Sequence, residues 1–139
     1  MPATRNRYQD PTSIASTYRA TLAPEPRSVG AARAAVVQRC LQWGLGSLCD
    51  DAQLIVSELV CNAVRHAGTD IDLIIRPREG GLRMEVSDGS TEQVRLRSAT
   101  FLDEGGRGLQ LVDALASDHG VRLHPGGKTV WAELDTPAA

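Results

Sequence analysis

Residues 57–67, SELVCNAVRHA, form an apolar run that is interrupted by three polar residues spaced four positions apart. Side chains four apart on a helix are offset by about 40°, so Glu58, Asn62 and His66 share a stripe of roughly 80°. An ordinary solvated face of an amphipathic helix explains this stripe as well as a functional site does. The spacing disfavours a metal site, because Asn is a poor transition-metal ligand and Glu58 and His66 lie two turns apart.

Length and charge narrow the class of protein. A chain of 139 residues is the usual size of one domain, and a formal charge of -2 argues against direct binding to nucleic acid or to an anionic membrane. Its three cysteines lack CxxC spacing, which predicts reduced thiols. Residues 1–13 do not resemble a secretory signal, and no run reaches the ~20 apolar residues of a membrane span. We therefore expect a cytoplasmic protein.

Periodicity predicts an edge strand and two helices in the first half of the chain. Residues 15–22 alternate in polarity like a strand, and prolines follow them. Residues 29–43 repeat apolar positions at helical spacing, with Ser28 as the expected N-cap. The opening run belongs to a second helix over residues 47–68.

The second half predicts two hairpins separated by a loop and a helix. The elements are a hairpin of residues 71–76 and 82–87, a loop or short lid over 91–104, a helix from Leu109 to near Gly120, and a hairpin of 121–123 and 129–134. This order predicts an α+β fold, a two-layer α/β sandwich whose mainly antiparallel sheet has helices on one face. Residues 14–135 would form the domain, between flexible segments at 1–13 and 136–139.

Two familiar nucleotide motifs fail. Gly127-Lys128-Thr129 suggests a phosphate loop, but the glycine required five positions earlier is replaced by Arg122. Gly106-Arg107-Gly108 opens a dinucleotide pattern whose third glycine is replaced by Leu111. What remains is a glycine cluster before a helix start, where free backbone N–H groups can bind an anion.

Dispersed residues nevertheless fit a nucleotide site together. A carboxylate one turn from an amide, as in Glu58 and Asn62, can activate a hydroxyl while the amide oxygen holds Mg²⁺. Asp88, at the end of an apolar strand, can accept a hydrogen bond from an exocyclic amine. The glycine cluster at 105–108 can hold phosphates.

Three motifs carry a family resemblance. ELVCNAVRHA (58–67), VSDGS (86–90) and GGRGLQLV (105–112) resemble the N, G1 and G2 boxes of the GHKL ATPases and kinases, which share the Bergerat ATP-binding fold. The small size and the C-terminal GKTVWAEL are most similar to anti-sigma factor serine/threonine kinases of actinobacterial type. The resemblance implies ATP and Mg²⁺ as cofactors.

The resemblance also implies residue roles. Glu58 would be the general base toward a protein serine hydroxyl, and Asn62 the Mg²⁺ ligand. Asp88, with Gly89 in its loop, would bind the adenine amine. His66 would either contact the phosphate side of the site or cap the helix end. The remaining nucleotide contacts would be backbone groups of Gly106, Gly108 and Leu109, the charge of Arg107, and Thr129 on the strand below the adenine.

The G1 box departs from the family pattern DxGxG, since Ser90 and Glu92 stand where glycines are expected. The resemblance implies that the protein is an ATP-binding anti-sigma factor that phosphorylates an anti-anti-sigma (STAS-type) partner. It would also bind a sigma factor and form a homodimer. The altered box keeps an alternative open, a catalytically inactive module that regulates a partner by binding alone. A sensor histidine kinase fits less well, because the chain offers no dimerisation hairpin with a phosphorylatable histidine.

Overall fold

The computed structural model describes residues 16–66, 68–90 and 107–137, with the backbone alone described at 107–109. The predicted lid at 91–104 lies outside these residues, as do Gly106, the predicted flexible segment at 1–13, and residues 138–139 of the segment at 136–139. No helix within the described ranges is long and apolar enough to cross a bilayer. The elements are, in order, β1 (Tyr18–Leu22), α1 (Arg27–Gln42), a 3₁₀ turn (Gly46–Leu48), α2 (Cys49–His66), β2 (Ile71–Arg78), β3 (Gly81–Asp88), α3 (Arg107–Leu115), β4 (Asp118–His124) and β5 (Gly127–Asp135).

The strands of the described residues form one antiparallel sheet in the order β1-β2-β3-β5-β4. The helices lie on one face of this sheet, and the hydrophobic core lies between the two layers. The predicted α+β sandwich is therefore confirmed. Strand β1 is an edge strand, as the sequence predicts.

Residues 57–66 of the opening run lie in helix α2, whose apolar positions recur at helical spacing. The core-facing residues of this helix are Ala52, Ile55, Val56, Leu59, Val60 and Ala63. Burying each large aliphatic side chain stabilises the fold by roughly 1.5–3 kcal/mol. The charges of Asp50 and Asp51 in the first turn, and of Arg65 in the last, interact favourably with the helix dipole. Packing and electrostatics therefore both favour this helix.

Strands β2 and β3 extend further than the sequence indicates. Pro77 was expected in the connecting turn, yet it lies within β2 and pairs with Leu82. Strand β1 reaches only as far as Ile75 on the other side, so no strand among the described residues requires an N–H group at Pro77. The connection shrinks to Glu79 and Gly80, and the φ of Gly80 is +74°.

The predicted N-cap of helix α1 is wrong. The helix begins at Arg27, and its N-cap is Pro26, which makes no side-chain capping bond. A proline suits a helix start because its fixed φ is helical and its missing N–H is not needed there. The Ser28 hydroxyl lies inside the first turn and donates instead to the Ala23 carbonyl oxygen at 2.6 Å.

The predicted end of the last helix is also wrong. Helix α3 ends at Leu115, and Gly120 lies within β4 opposite Trp131. A Cβ at Gly120 would come within 2.8 Å of the Trp131 ring. The glycine therefore makes room for an indole on the sheet and does not terminate a helix.

Candidate functional site

Helix α2 presents the polar stripe predicted from the sequence. Glu58, Asn62 and His66 are all half-buried. The helix packs against β3 and β5, which carry Asp88 and Thr129, and against α3, which begins at Arg107. One helix therefore contacts every other described element on which a site residue was predicted.

The side chain of Asn62 has an unused acceptor. Its Oδ1 atom is buried, and the described part of the chain offers it no hydrogen-bond partner. Leaving a buried acceptor unpaired costs about 1–3 kcal/mol, so such an atom normally binds water, an ion or a ligand. An amide oxygen is a hard ligand that suits Mg²⁺, which usually takes one or two protein oxygens together with phosphate oxygens. Asn62 therefore fits the predicted metal role.

The carboxylate of Glu58 is also uncommitted. Among the described residues it makes no hydrogen bond and no ion pair, and it lies one turn before Asn62 on the same stripe. A carboxylate without a structural partner can accept a proton from a hydroxyl group. His66 is the last residue of α2, a position that fits either of its two predicted roles.

Asp88 ends strand β3 and forms an ion pair inside the protein. Its side chain is 2% exposed, and Lys128 Nζ donates to Oδ1 at 3.0 Å and to Oδ2 at 2.9 Å. The Ser90 backbone N–H also donates to Oδ1, at 2.8 Å. The predicted adenine ligand is thus already held by two neighbours.

The loop after Asp88 is fixed through backbone groups. The Gly89 N–H donates to Thr69 Oγ1 at 2.8 Å. The Ser90 N–H closes a turn by donating to the Asp88 carboxylate. Because Ser90 acts there through its N–H, a side chain at this position is compatible with the loop. Gly127 approaches from β5 with a φ of +148°, and a Cβ there would overlap the Asp88 carbonyl oxygen.

The structure separates Thr129 from Asp88. Thr129 lies on the sheet face opposite the helices, where its Oγ1 contacts Ser87 Oγ at 2.7 Å and His124 Nε2 at 3.1 Å. Side chains alternate along a strand, so the neighbour that faces the helices beside Asp88 is Lys128.

Lys128 has no predicted role, since the phosphate-loop motif that contains it fails. Two signals could have found it. Lys128 is the only lysine of the chain. Every second residue of a strand points to the same face, so Lys128 shares a face with the core-facing residues Val130, Ala132 and Leu134. A charged residue in such a register needs a buried partner.

Arg107, Gly108 and Leu109, the described residues among the predicted phosphate contacts, lie at the start of helix α3. The helix begins at Arg107 and continues through Gly108 and Leu109. The first N–H groups of a helix have no partner within it, and they favour anions. The described backbone is therefore compatible with the predicted phosphate position.

Comparison with known proteins identifies the family of the domain. A model of the histidine kinase-like ATPase domain matches residues 22–134, which include every predicted site residue. No curated protein matches the sequence significantly. The matched region spans most of the chain and all three boxes, in agreement with the GHKL superfamily and with ATP binding. The chain therefore belongs to the histidine kinase-like ATPase domain family.

Proposed function

We propose that the protein is an anti-sigma factor with serine/threonine kinase activity. It binds ATP, phosphorylates an anti-anti-sigma partner of STAS type and otherwise sequesters a sigma factor, acting as a homodimer in the cytoplasm. The observation that carries the ATP-dependent part is a pair of oxygen groups one turn apart on α2, the Glu58 carboxylate and the buried Asn62 Oδ1, which have no hydrogen-bond partner among the described residues. Kinase specificity and partners rest on the motif resemblance.

Glu58 has the chemistry that a protein kinase base needs. It accepts the proton of the attacking serine hydroxyl, while the new bond forms between that oxygen and the γ-phosphorus and the bond to the ADP oxygen breaks. Because positioning and charge account for most of this chemistry, removing the carboxylate's basicity should affect phosphoryl transfer more than ATP binding.

Asn62 and the start of α3 would bind the phosphate end of ATP. Mg²⁺ bound at Asn62 would neutralise phosphate charge. The first backbone N–H groups of α3 would hold phosphate oxygens, and Arg107 would add positive charge there. On this assignment, the residues at the two ends of the site hold the nucleotide and leave Glu58 available for the hydroxyl.

A second function is favoured by one observation at the other end of the site. The Asp88 carboxylate, which should bind adenine, already accepts hydrogen bonds from Lys128 and Ser90. If these bonds exclude the base, the protein regulates its partner by docking alone. This alternative predicts partner binding that does not depend on ATP.

Transfer of the γ-phosphate tests the proposal. Wild-type protein and Glu58→Gln are incubated with labelled ATP, Mg²⁺ and STAS-type proteins, and ATP binding by both is measured in parallel. The proposal expects labelled serine or threonine with the wild type, and at least a 100-fold slower rate with Glu58→Gln at similar ATP affinity. ATP binding without transfer to any STAS protein would exclude the kinase and leave the docking function.

A further inference from the structure

Lys128 is an unusual residue in this chain. It is the only lysine, whereas all other side chains with a permanent positive charge are arginines. It is also 5% exposed, and it faces the helical layer from strand β5. Lysine is almost never buried unless it is paired. Its single occurrence is therefore at a position where the charge has a specific local partner.

Asp88, the partner of Lys128, uses most but not all of its hydrogen-bonding capacity. Asp88 accepts two bonds from Lys128 and one from the Ser90 N–H, while a carboxylate can accept about four. The ammonium has three N–H groups, and the described residues provide an acceptor for two of them. One acceptor position on Asp88 and one donor on Lys128 therefore remain unused among the described residues.

Packing does not require charges at this place. In the row of cross-strand neighbours, Asp88 and Lys128 are flanked by the apolar residues Ile71 and Leu123. Replacing a buried ion pair by apolar residues of similar size is often neutral or stabilising. A purely structural role would thus be fulfilled as well by aliphatic side chains. The pair instead includes Asp88, the residue to which the motif resemblance assigns binding of the nucleotide base.

We propose that Lys128 and Asp88 recognise adenine together, as an adjacent donor and acceptor. Asp88 accepts from the exocyclic amine, and the third N–H of Lys128 donates to N1, the ring nitrogen next to that amine. Lysine suits this role because its compact ammonium has three rotatable donors, unlike the planar fork of arginine. This inference rests on the proposed ATP binding, and it makes Lys128 a specificity-determining residue of that site.

The recognition pattern discriminates between purines. Adenine presents an amine donor beside an acceptor at N1, which complements the pair. Guanine and hypoxanthine have an oxygen at the first position and an N–H at N1, so both groups face the wrong partner. A site whose polar groups are left unpaired in this way rejects the wrong ligand strongly.

An ATP analogue tests the contact without altering the protein. In 1-deaza-ATP a C–H replaces N1, and in 7-deaza-ATP a C–H replaces a ring nitrogen that the pair does not touch. Wild-type protein should bind 1-deaza-ATP about 10- to 100-fold more weakly than ATP, because a hydrogen bond to a charged donor is lost. It should bind 7-deaza-ATP within about twofold of ATP.

Lys128→Met then removes the donor while retaining an unbranched chain. This variant should bind ATP and 1-deaza-ATP within about twofold of each other, so the wild-type discrimination disappears. Thermal unfolding establishes whether it folds. If it does not, isotope-labelled lysine reports on the wild type, because the single lysine gives one side-chain NMR signal, which should shift more with ATP than with 1-deaza-ATP.

Different results overturn different claims. Equal affinity of the wild type for ATP and 1-deaza-ATP, or the same penalty in Lys128→Met, contradicts the contact at N1 while ATP binding stands. An equal shift of the lysine signal with both nucleotides contradicts it in the same way. No binding of ATP by the wild type at millimolar concentration overturns the proposed ATP site, and this inference with it.

Discussion

At the scale of single residues, the site contains two kinds of polar group. Glu58 and Asn62 have oxygens without partners in the described part of the chain, whereas Asp88 is held by Lys128 and Ser90. Uncommitted groups are available to substrate and metal. The committed carboxylate is fixed in place, so base recognition would need no reorganisation of Asp88.

The ion pair of Asp88 should also matter for stability. Asp88→Asn leaves the Lys128 ammonium buried without a counter-charge, and breaking a buried pair in this way costs about 3–5 kcal/mol. The free energy of unfolding, measured by urea denaturation, should fall by that amount. The control is Glu25→Gln, since Glu25 and its partner Arg27 are 44% and 83% exposed and such pairs contribute less than about 1 kcal/mol. Losses of equal size in the two variants would contradict a buried, paired Asp88.

Residues that form a chemical pattern along one helix could be predicted from the sequence, whereas the residue whose role depends on strand pairing could not. The stripe on α2 follows from helix geometry alone. Lys128, by contrast, meets Asp88 only through the register of β3 and β5, which a single sequence does not specify. The same register places Thr129 on the opposite face.

At the scale of elements, periodicity predicted what each segment is but not where it ends. The predicted helix over 47–68 is observed as the 3₁₀ turn followed by α2. Its presence could be predicted because its apolar stripe is long and regular. The predictions for Ser28 and Gly120 were wrong because both residues make tertiary contacts. The Ser28 hydroxyl bonds to the Ala23 carbonyl oxygen, and Gly120 leaves space for the Trp131 ring. Such contacts override local signals.

The start of β5 depends on a glycine. Gly127 has a φ of +148°, and a Cβ there would overlap the backbone of Asp88. Gly127→Ala should therefore lower the free energy of unfolding by about 3 kcal/mol or more, through backbone strain and displacement of the strand. Gly126→Ala is the matched control, because a Cβ at Gly126 meets no atom within 4 Å and should change stability by less than about 1 kcal/mol. Similar effects of both substitutions in thermal or urea unfolding would contradict this strand arrangement.

The packing of helices α1 and α2 should be visible in thiol chemistry. Burial, together with the neighbouring Cys49, raises the pKa of the Cys40 thiol from 9.0 to about 11. The thiolate is the reactive form, so a disulfide reagent at pH 8 should modify Cys49 and Cys61, which are half-buried, long before Cys40. Urea-unfolded protein, in which all three thiols should react together, is the control. Equal rates for the three cysteines in the native protein would show that Cys40 is not protected.

At the scale of the whole molecule, the sheet has two faces with different chemistry. The face under the helices holds the hydrophobic core and, at one end, Asp88 and Lys128. The opposite face carries a charged network in which Arg83 contacts Glu85 and Glu133 and lies over the ring of Trp131. Of the predicted nucleotide contacts on the sheet, Asp88 lies on the first face, where burial strengthens polar interactions, and Thr129 lies on the opposite face.

The layer architecture could be predicted from the order of the elements, because strands and helices with one apolar face have few ways to bury it. The motifs then indicated the family, and the domain match agrees with them. Partners could not be derived in the same way, since an exposed surface leaves no periodic pattern in one sequence. The anti-sigma role therefore stays a proposal.

The most direct test of the account is a calorimetric titration with ATP in the presence of Mg²⁺, on wild-type protein, Asn62→Ala and Gln53→Ala. Gln53 is the control because it is an amide on the same helix whose side chain contacts Cys49. The account predicts micromolar binding by wild type and Gln53→Ala, and at least a 10-fold loss for Asn62→Ala. Equal affinity of all three proteins would remove Asn62 from the site, and no binding by the wild type at millimolar ATP would contradict the nucleotide site itself.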